Sequence, residues 1–316
     1  WTDAMGARTA PARGTALYIG QSASPWALGL YARALLKAPG ATLPDTRFPE
    51  RSGTEWTGRA GVAVRPVPAL TLRAAAYRGW RLPTLNELYR PFRVGADATS
   101  ANAALSPEQL SGVDGGIVLA PGGGLTLSAT LFWNRLAGAI ANVTAGPGPG
   151  TFPGVGFVAA GGTYRVRRSL DAIRSTGVEV EARWQHGPLF AQGSWSHVDP
   201  RVVASGPAAA LDGLRPAQTP RDLVSASAGW RRNRAALSAT LRHGARQFDD
   251  DQNSRSLAPA TTLDAVAAVP LTRAIGVELR GENLFDARVE TGISGTSIIE
   301  RATPRTLWVS LTLRAG

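Results

Sequence analysis

The chain has 316 residues, with 34 Lys and Arg against 23 Asp and Glu, so its formal net charge is +11. The absence of cysteine excludes disulfide scaffolds, thiolate metal sites and cysteine nucleophiles, and a total of three histidines argues against a histidine-rich metal centre. Hydrophobic residues make up 44% of the chain but form no uninterrupted run of about 18, so the composition excludes a disordered chain and helical membrane spans.

The N-terminal residues Trp1–Ala4 carry none of the features of a signal peptide. They include no basic region, no apolar segment and no cleavage site, and the sequence does not begin with Met. We therefore expect the chain to be an internal or C-terminal part of a longer protein.

Apolar and polar residues alternate with period two along most of the chain. The first segment runs from Trp26 to Leu36, and we count about thirteen such segments, most of them close to the about 9–11 residues of a tilted membrane strand. In the segment 176–185, the even positions from Val178 to Trp184 are apolar, whereas the odd positions from Glu179 to Gln185 are polar. The pattern predicts strands with one apolar and one polar face. Further clear segments are 222–230, 235–243, 275–282 and 305–314.

The connections between these segments alternate between short and long. The short ones are turn-rich and are predicted at 22–25, 66–68, 121–124, 186–188, 231–233 and 270–273. The long ones are predicted at 37–55, 81–109, 141–173, 199–221, 244–260 and 284–304. Outer-membrane barrels have this asymmetry, with short periplasmic turns and long outer loops. A Greek-key sandwich does not require short and long connections to alternate.

Tryptophans on the apolar faces fall near both ends of the predicted strands, as expected for aromatic belts at two membrane interfaces. The apolar faces are also rich in Ala and Gly, which suits a lipid-facing surface better than a packed soluble core. The charged opposite faces would line a wet lumen. The belt residues are Trp26, Trp184 and Trp230 beside short turns, and Trp80, Trp133 and Trp195 towards the long loops.

Six short motifs follow one another over about 230 residues. In this order they resemble motifs in the C-terminal half of the TonB-dependent outer-membrane receptors. Each motif alone is weak, but six in family order make a specific match. They are Arg81–Tyr89 (RLPTLNELY), Asn102–Glu108 (NAALSPE), Ser175–Glu181 (STGVEVE), Thr219–Arg221 (TPR), Glu282–Asp286 (ENLFD) and Pro304–Val309 (PRTLWV).

The resemblance implies an all-β fold, a transmembrane antiparallel up-and-down β-barrel that is partial. Residues 1–316 would supply about 13 of the family's 22 strands, with no plug domain. The C-terminal residues Leu313–Gly316 lack the aromatic residue that usually ends the family's last strand. Because an odd, incomplete set of strands leaves unpaired edges in lipid, we expect that this chain alone does not close a sealed barrel.

The resemblance also implies a function. The chain would be part of a bacterial outer-membrane receptor that takes up a scarce ligand such as a ferric siderophore. Its expected partners are outer-membrane lipid, a small ligand such as a metal chelate, and the TonB complex through the N-terminal part of the receptor. No enzymatic reaction, no cofactor and no nucleic-acid partner are expected.

Charged residues in the predicted long loops are candidates for the ligand vestibule. The candidates are Arg90 and Arg93 beside Tyr89 and Phe92, the basic group Arg165, Arg167 and Arg168, and the acidic group Asp249, Asp250 and Asp251. The arginines would attract an anionic chelate, and the aspartates would bind a cation. The plainer interpretation is that both groups belong to solvated loops, because the acidic spacing does not match an EF-hand.

Three other classes of protein stay open at this point. A passive porin-like or autotransporter-type barrel would share the strand pattern, and a barrel-embedded enzyme would need a Ser/His pair facing one wet pocket. A soluble all-β binding module would turn the apolar faces to a core instead of lipid. Nucleic-acid binding is disfavoured despite the basic charge, because the arginines are scattered and their longest runs are the pairs Arg167–Arg168 and Arg231–Arg232.

Overall fold

The structure, a computed structural model, describes residues 14–28, 50–295 and 297–313. Its two short helices are the α-helix α1 (Leu85–Tyr89) and a 3-10 helix (Gly206–Leu211). Numbered along the chain, the strands are β1 (Gly14–Leu28), β2 (Arg51–Val67), β3 (Leu70–Arg81), β4 (Phe92–Val94), β5 (Asp97–Ser100), β6 (Glu108–Gly122), β7 (Leu125–Ala137), β8 (Ile140–Pro147), β9 (Gly150–Phe152), β10 (Gly156–Val158), β11 (Thr163–Ser169), β12 (Ala172–His186), β13 (Leu189–Val203), β14 (Asp222–Arg232), β15 (Ala235–Gly244), β16 (Gln247–Phe248), β17 (Ser256–Leu257), β18 (Ala260–Pro270), β19 (Ile275–Glu282), β20 (Glu290–Ser294), β21 (Ile298–Arg301) and β22 (Thr306–Leu313).

Twelve of these strands form one sheet, which we call the wall. Its order is β1-β2-β3-β6-β7-β12-β13-β14-β15-β18-β19-β22, so each wall strand pairs with the next one along the chain, and every pair is antiparallel. The predicted all-β, up-and-down architecture is confirmed, with twelve wall strands where we counted about thirteen. Within the described residues β1 does not pair with β22, so the wall is an open, partial barrel.

Five of the six predicted short turns are confirmed at the ends of β2, β6, β12, β14 and β18. The sixth, at Ser22–Pro25, is wrong, because these residues continue β1 in register with β2. Pro25 lacks a donor N–H, but among the described strands β1 pairs with β2 alone, and proline is tolerated on an edge strand. The last five predicted long connections are also confirmed. Residues 29–49 lie outside the described residues, and they include most of the predicted strand Trp26–Leu36 and of the first predicted long connection.

The register places apolar residues of neighbouring strands on one face of the wall. Val180 of β12 lies between Ala129 of β7 and Trp195 of β13, whereas Glu181 lies between two serines on the other face. Leu131 on the apolar face is 65% exposed. No described element covers this face, and an apolar surface of this extent is what contact with lipid requires.

The outer aromatic belt steps evenly along the tilted strands, because a level belt must shift along each successive strand. Trp133 on β7 and Trp195 on β13 lie directly opposite Thr176 and Val180 of β12. Trp80 on β3 aligns with Ala172 of β12 through the two intervening strands. The three tryptophans thus match positions of β12 that are four residues apart. The backbone of Trp26 lies in β1, and its side chain is outside the described part of the chain.

The buried hydrophobic residues lie in the long loops at one end of the wall. The largest cluster joins Ala139 and Val143 to Leu170 and to Leu211 of the 3-10 helix. A second cluster packs α1 through Leu88, and a third surrounds β10 and β11. The loops also hold a four-stranded sheet, β4-β5-β11-β8, and three two-stranded sheets. The loops are therefore folded structures that can hold side chains at fixed positions.

In the described part of the chain, neither helix approaches the length and apolar character of a membrane span.

Candidate functional site

The polar face of the wall contains glycines across which side chains of the flanking strands meet. Tyr77 Oη on β3 donates to Asn134 Oδ1 on β7 at 2.8 Å, across Gly112 of the intervening β6. A Cβ at Gly112 would lie within 2.6 Å of Tyr77 Cε2, so this contact requires glycine. Arg73 and Thr130 make a similar contact across a second glycine of β6. These contacts connect three strands on the polar face.

The charges on this face pair with one another, as predicted for a wet lumen. Arg242 of β15 forms an ion pair with Asp264 on the neighbouring β18. Within β19, Arg280 and Glu282 pair at 2.7 Å. These side chains are partly or largely exposed, which fits a water-lined surface and not a packed core.

A cavity of about 600 Å³ opens on the polar face, next to the loops that precede β18 and β20. Its lining includes Glu179, Glu181, Arg242 and Glu290. Because Arg242 is already paired with Asp264, the charge left facing the cavity is mainly negative. Glu290 is held in place by a hydrogen bond from a loop backbone N–H at 2.7 Å. The cavity can therefore receive a polar ligand with cationic groups.

The first two family-like motifs build the rim where the loops leave the wall. Arg81 at the end of β3 pairs with Glu87 at 2.9 Å and with Glu108 at 2.6 Å. Thr84 and Glu87 form a capping box that starts α1, and Glu108 also accepts a hydrogen bond from the backbone of Ile140 at 2.8 Å. Burial tends to raise the pKa of the Glu87 carboxyl, but hydrogen bonds from Arg81 and Thr84 outweigh it and hold the pKa below its usual range.

Arg167 lies below this rim as a buried structural residue. It is 8% exposed, and its guanidinium donates to the carbonyl oxygens of Asn86 and Arg90, with the latter at 3.0 Å. It also lies over the Phe92 ring, 5.0 Å from the centroid. Burial holds the pKa of Arg167 below its usual value. These contacts connect α1 and β4 to β11.

Two other arginine candidates are also engaged by loop groups. Arg165 pairs with Asp97 at 2.8 Å, which links β11 to β5. Arg93 donates to the carbonyl oxygens of Val155 and Phe157 at 2.5 and 2.6 Å. Both side chains therefore hold loop strands in place.

The remaining two arginine candidates stay available. The Arg90 side chain is exposed, and that of Arg168 is half-buried. Neither guanidinium forms an ion pair or hydrogen bond with another described residue. Alternation places Arg168 on the opposite face of β11 from Arg167. Of the five arginine candidates, these two keep the most capacity to bind an anion.

Two of the three aspartates cross-link the loops, and the third holds a local turn. Asp251 accepts hydrogen bonds from the backbone N–H and the hydroxyl of Thr144, both at 2.7 Å. Asp249 pairs with Arg255 at 3.3 Å and accepts a hydrogen bond from the backbone of Ile293 at 3.2 Å. Asp250 closes a local turn and is 8% exposed. Across the described ranges no group of His, Asp and Glu side chains is arranged to hold a metal ion.

The stability of the turn at Asp250 is expected to depend on pH. Burial tends to raise the pKa of its carboxyl, but hydrogen bonds from Ser254 and from the backbone of Arg255 hold the pKa below its usual value. The stabilisation is therefore complete above the unfolded pKa of about 3.9 and is lost as pH falls through the lower folded pKa. Amide hydrogen exchange of Ser254 and Arg255, corrected for intrinsic rates, should accelerate in that range. Asp250→Asn should remove this pH dependence, and equal protection at all pH values would contradict it.

Two later motifs face each other across the last long loop. Asn283, at a φ of 49°, holds the turn by hydrogen bonds to and from the backbone of Ala287. Asp286 accepts a hydrogen bond from the backbone of Arg305 at 3.0 Å, which brings the ENLFD and PRTLWV motifs together. Arg221 of the TPR motif pairs with Asp199 at 2.7 Å. These motif residues thus shape the loop ends, and Pro220 of the TPR motif also lines the cavity.

Our sequence reasoning did not single out Arg242 or Glu290 for the cavity. Arg242 could have been found from its place on the polar face of the segment 235–243. Glu290 lies in the last long connection, where no periodicity indicates its direction. The cavity depends on how that connection folds back over the wall.

Comparison with protein families matched the description "TonB dependent receptor-like, beta-barrel" over residues 32–284. Comparison with curated protein sequences gave no match. Among solved structures, the copper transporter OprC superposes with a TM-score of 0.72 at 17% identity, covering 96% of this chain and 45% of that chain. The FrpB iron transporter from Neisseria meningitidis (F5-1 variant) gives 0.66 at 16% identity, covering 95% and 43%. The siderophore receptor PiuA from Acinetobacter baumannii gives 0.69 at 13% identity, covering 96% and 41%.

The chain spans less than half the length of each of these three structures. At these identities the similarity establishes the fold, and the family match covers most of the chain. With its up-and-down wall of twelve strands, the chain belongs to the TonB-dependent receptor β-barrel family.

Proposed function

We propose that the chain forms part of the wall and outer vestibule of a bacterial outer-membrane receptor that takes up a scarce ligand such as a ferric siderophore. Members of the family are receptors and transporters of the bacterial outer membrane. The observation that carries the proposal is the polar, charge-paired face of the wall, with folded loops at one end and a cavity of about 600 Å³ beside them.

The vestibule and the cavity would act in sequence. Arg90 and Arg168, whose guanidinium groups are free of described partners, would attract an anionic chelate to the loops. The chelate would then pass along the polar face of the lumen, where the negative cavity lined by Glu179 and Glu181 would repel its anionic part and hold only cationic groups of the ligand. In this proposal no residue of the chain performs a reaction. Energy for passage would come from the TonB complex through a part of the receptor outside this sequence.

The neighbours named above include transporters of copper and iron and a siderophore receptor, so the ligand could be a bare cation or a chelate. The free arginines favour an anionic chelate. A passive porin-like barrel is less well supported, because the long loops pack into three buried clusters and are not open strand connections.

Ligand binding can be tested with probes of different charge. Tryptophan fluorescence of the full chain in detergent should report binding of a ferric tris-catecholate, and a neutral ferric trihydroxamate and Cu²⁺ serve as alternatives. The double variant R90Q/R168Q should weaken tris-catecholate binding by about tenfold, because each of these two arginines contributes a modest electrostatic attraction. R231Q/R232Q, at a short turn at the opposite end of the wall, should leave it unchanged. Unchanged affinity in R90Q/R168Q would overturn the role of these arginines.

A further inference from the structure

We propose that Arg135, Arg174 and Arg201 form a site on the outer surface of the wall that binds phosphate groups of lipids in the outer leaflet of the membrane. We call these three residues the cationic row. The proposal goes beyond ligand uptake, because the row faces away from the lumen.

The strand register places the three arginines side by side. Arg174 of β12 is directly opposite Arg135 of β7 on one side and Arg201 of β13 on the other. Two residues further along β7 and β12, the same face carries Trp133 and Thr176, and then Leu131 and Val178. Since successive residues of a strand point to opposite faces, the cationic row lies on the apolar, lipid-facing side.

The row also lies at the height expected for lipid headgroups. On β7, Arg135 lies two residues beyond Trp133 towards the long loop, and on β13, Arg201 lies six residues beyond Trp195 in the same direction. Both tryptophans belong to the outer aromatic belt, which marks the level where acyl chains give way to headgroups. Arg135 is therefore just outside the apolar band, and because the strands are tilted the row rises from there towards Arg201, further from the band.

The charges of the row are incompletely neutralised by the protein. Like charges directly opposite each other on neighbouring strands destabilise a sheet. Arg135 and Arg174 have no ion pair or hydrogen bond with any described residue. Arg201 pairs with Asp199 at 3.2 Å and donates to the carbonyl oxygen of Gly213 at 3.1 Å, but the Asp199 carboxylate also pairs with Arg221 at 2.7 Å. A bound anion would relieve the repulsion, and guanidinium groups suit phosphate because they form two parallel hydrogen bonds with it.

A lipid suits the row better than free phosphate does. The exposed apolar face continues from the row through Trp133 to Leu131, which is 65% exposed. Acyl chains can lie on this face while the phosphates contact the arginines. An inorganic anion would use only the charges, so the continuous surface favours a phosphorylated lipid as the occupant.

Native mass spectrometry of the full chain in detergent micelles tests this site with a bisphosphorylated disaccharide lipid as the probe. R135Q/R174Q should weaken lipid binding by about tenfold or more, whereas R135K/R174K should retain much of it. The matched control R183Q/R280Q removes the same charge from the lumen face and should bind like the parent chain. If the double variant folds poorly, the single variant Arg174→Gln can be used instead, because the Arg174 side chain is exposed. We expect it to lose less lipid binding than the double variant.

Two further probes distinguish the source of the phosphate. The same lipid without phosphates should bind weakly to the parent chain, and millimolar inorganic phosphate should not displace the phosphorylated lipid. Unchanged binding in R135Q/R174Q and in Arg174→Gln would overturn the site. An equal loss in R183Q/R280Q, or full displacement by inorganic phosphate, would also overturn it.

Discussion

Replacement of Arg167 by alanine is expected to destabilise the loop end of the wall by about 2–4 kcal/mol. The side chain is 8% exposed and donates to two backbone carbonyl oxygens, at Asn86 and Arg90, while it covers Phe92. Its removal takes away two hydrogen bonds from a charged donor, each worth about 1.5–3 kcal/mol, although the Asn86 carbonyl keeps the backbone N–H of Arg90. Chemical denaturation of the full chain in detergent should show the loss, and amide exchange should accelerate at Leu88 and Arg90.

The neighbouring Arg168→Ala is the matched control, because the Arg168 guanidinium forms no ion pair or hydrogen bond with another described residue. It should leave the free energy of unfolding almost unchanged. Arg167→Lys keeps the charge but offers a single ammonium where the guanidinium makes two separated contacts, so we expect an intermediate loss. If Arg167→Ala and Arg168→Ala lower stability equally, the structural role of Arg167 is wrong.

Replacement of Gly112 by valine should have a comparable effect in the wall itself. A Cβ there would lie within 2.6 Å of Tyr77 Cε2 and even closer to Asn134 Oδ1. The valine would separate these two side chains and break their 2.8 Å hydrogen bond. Overpacking costs about 1–3 kcal/mol and the hydrogen bond about 1 kcal/mol, so we expect a loss of about 2–4 kcal/mol in the free energy of unfolding.

The control for this variant lies on the same strand. A Cβ at Gly115 would meet only the Arg73 carbonyl oxygen, at 3.9 Å, so Gly115→Ala should be well tolerated. In a Tyr77→Ala background, Gly112→Val should be less harmful, because the tyrosine ring that blocks the valine is gone. Equal costs of Gly112→Val with and without Tyr77 would show that the ring contact is not the cause.

The strands of the wall could be predicted from the sequence because the patterns that define them are local. Alternation over segments such as 176–185 fixes which residues share a face, and loop length fixes which ends are turns. The turn predicted at Ser22–Pro25 failed because Ser, Ala and Pro also occur in an edge strand, where no partner needs the proline N–H. Turn composition alone does not distinguish these two cases.

The loop candidates were harder to interpret from sequence because their roles depend on distant contacts. Asp251 meets Thr144, which is 107 positions away, and Arg167 meets Asn86, 81 positions away. Composition marks such residues as charged and loop-bound, but it does not show which charges are used inside the fold. The structure separates Arg167, which is buried, from Arg168, which is free, although the two are adjacent in sequence.

The central claim is that the wall turns its apolar face to lipid and its polar face to a water-filled lumen. Because the chain contains no cysteine, single cysteines can be introduced and spin-labelled along β12 without background. The most direct measurement is the accessibility of each label to oxygen and to a water-soluble nickel complex, for the full chain in lipid bilayers. We predict a period of two, with oxygen access highest at Val178, Val180 and Ala182, and nickel access highest at Glu179, Glu181 and Arg183. Accessibility without alternation, or equal nickel access on both faces, would contradict the account.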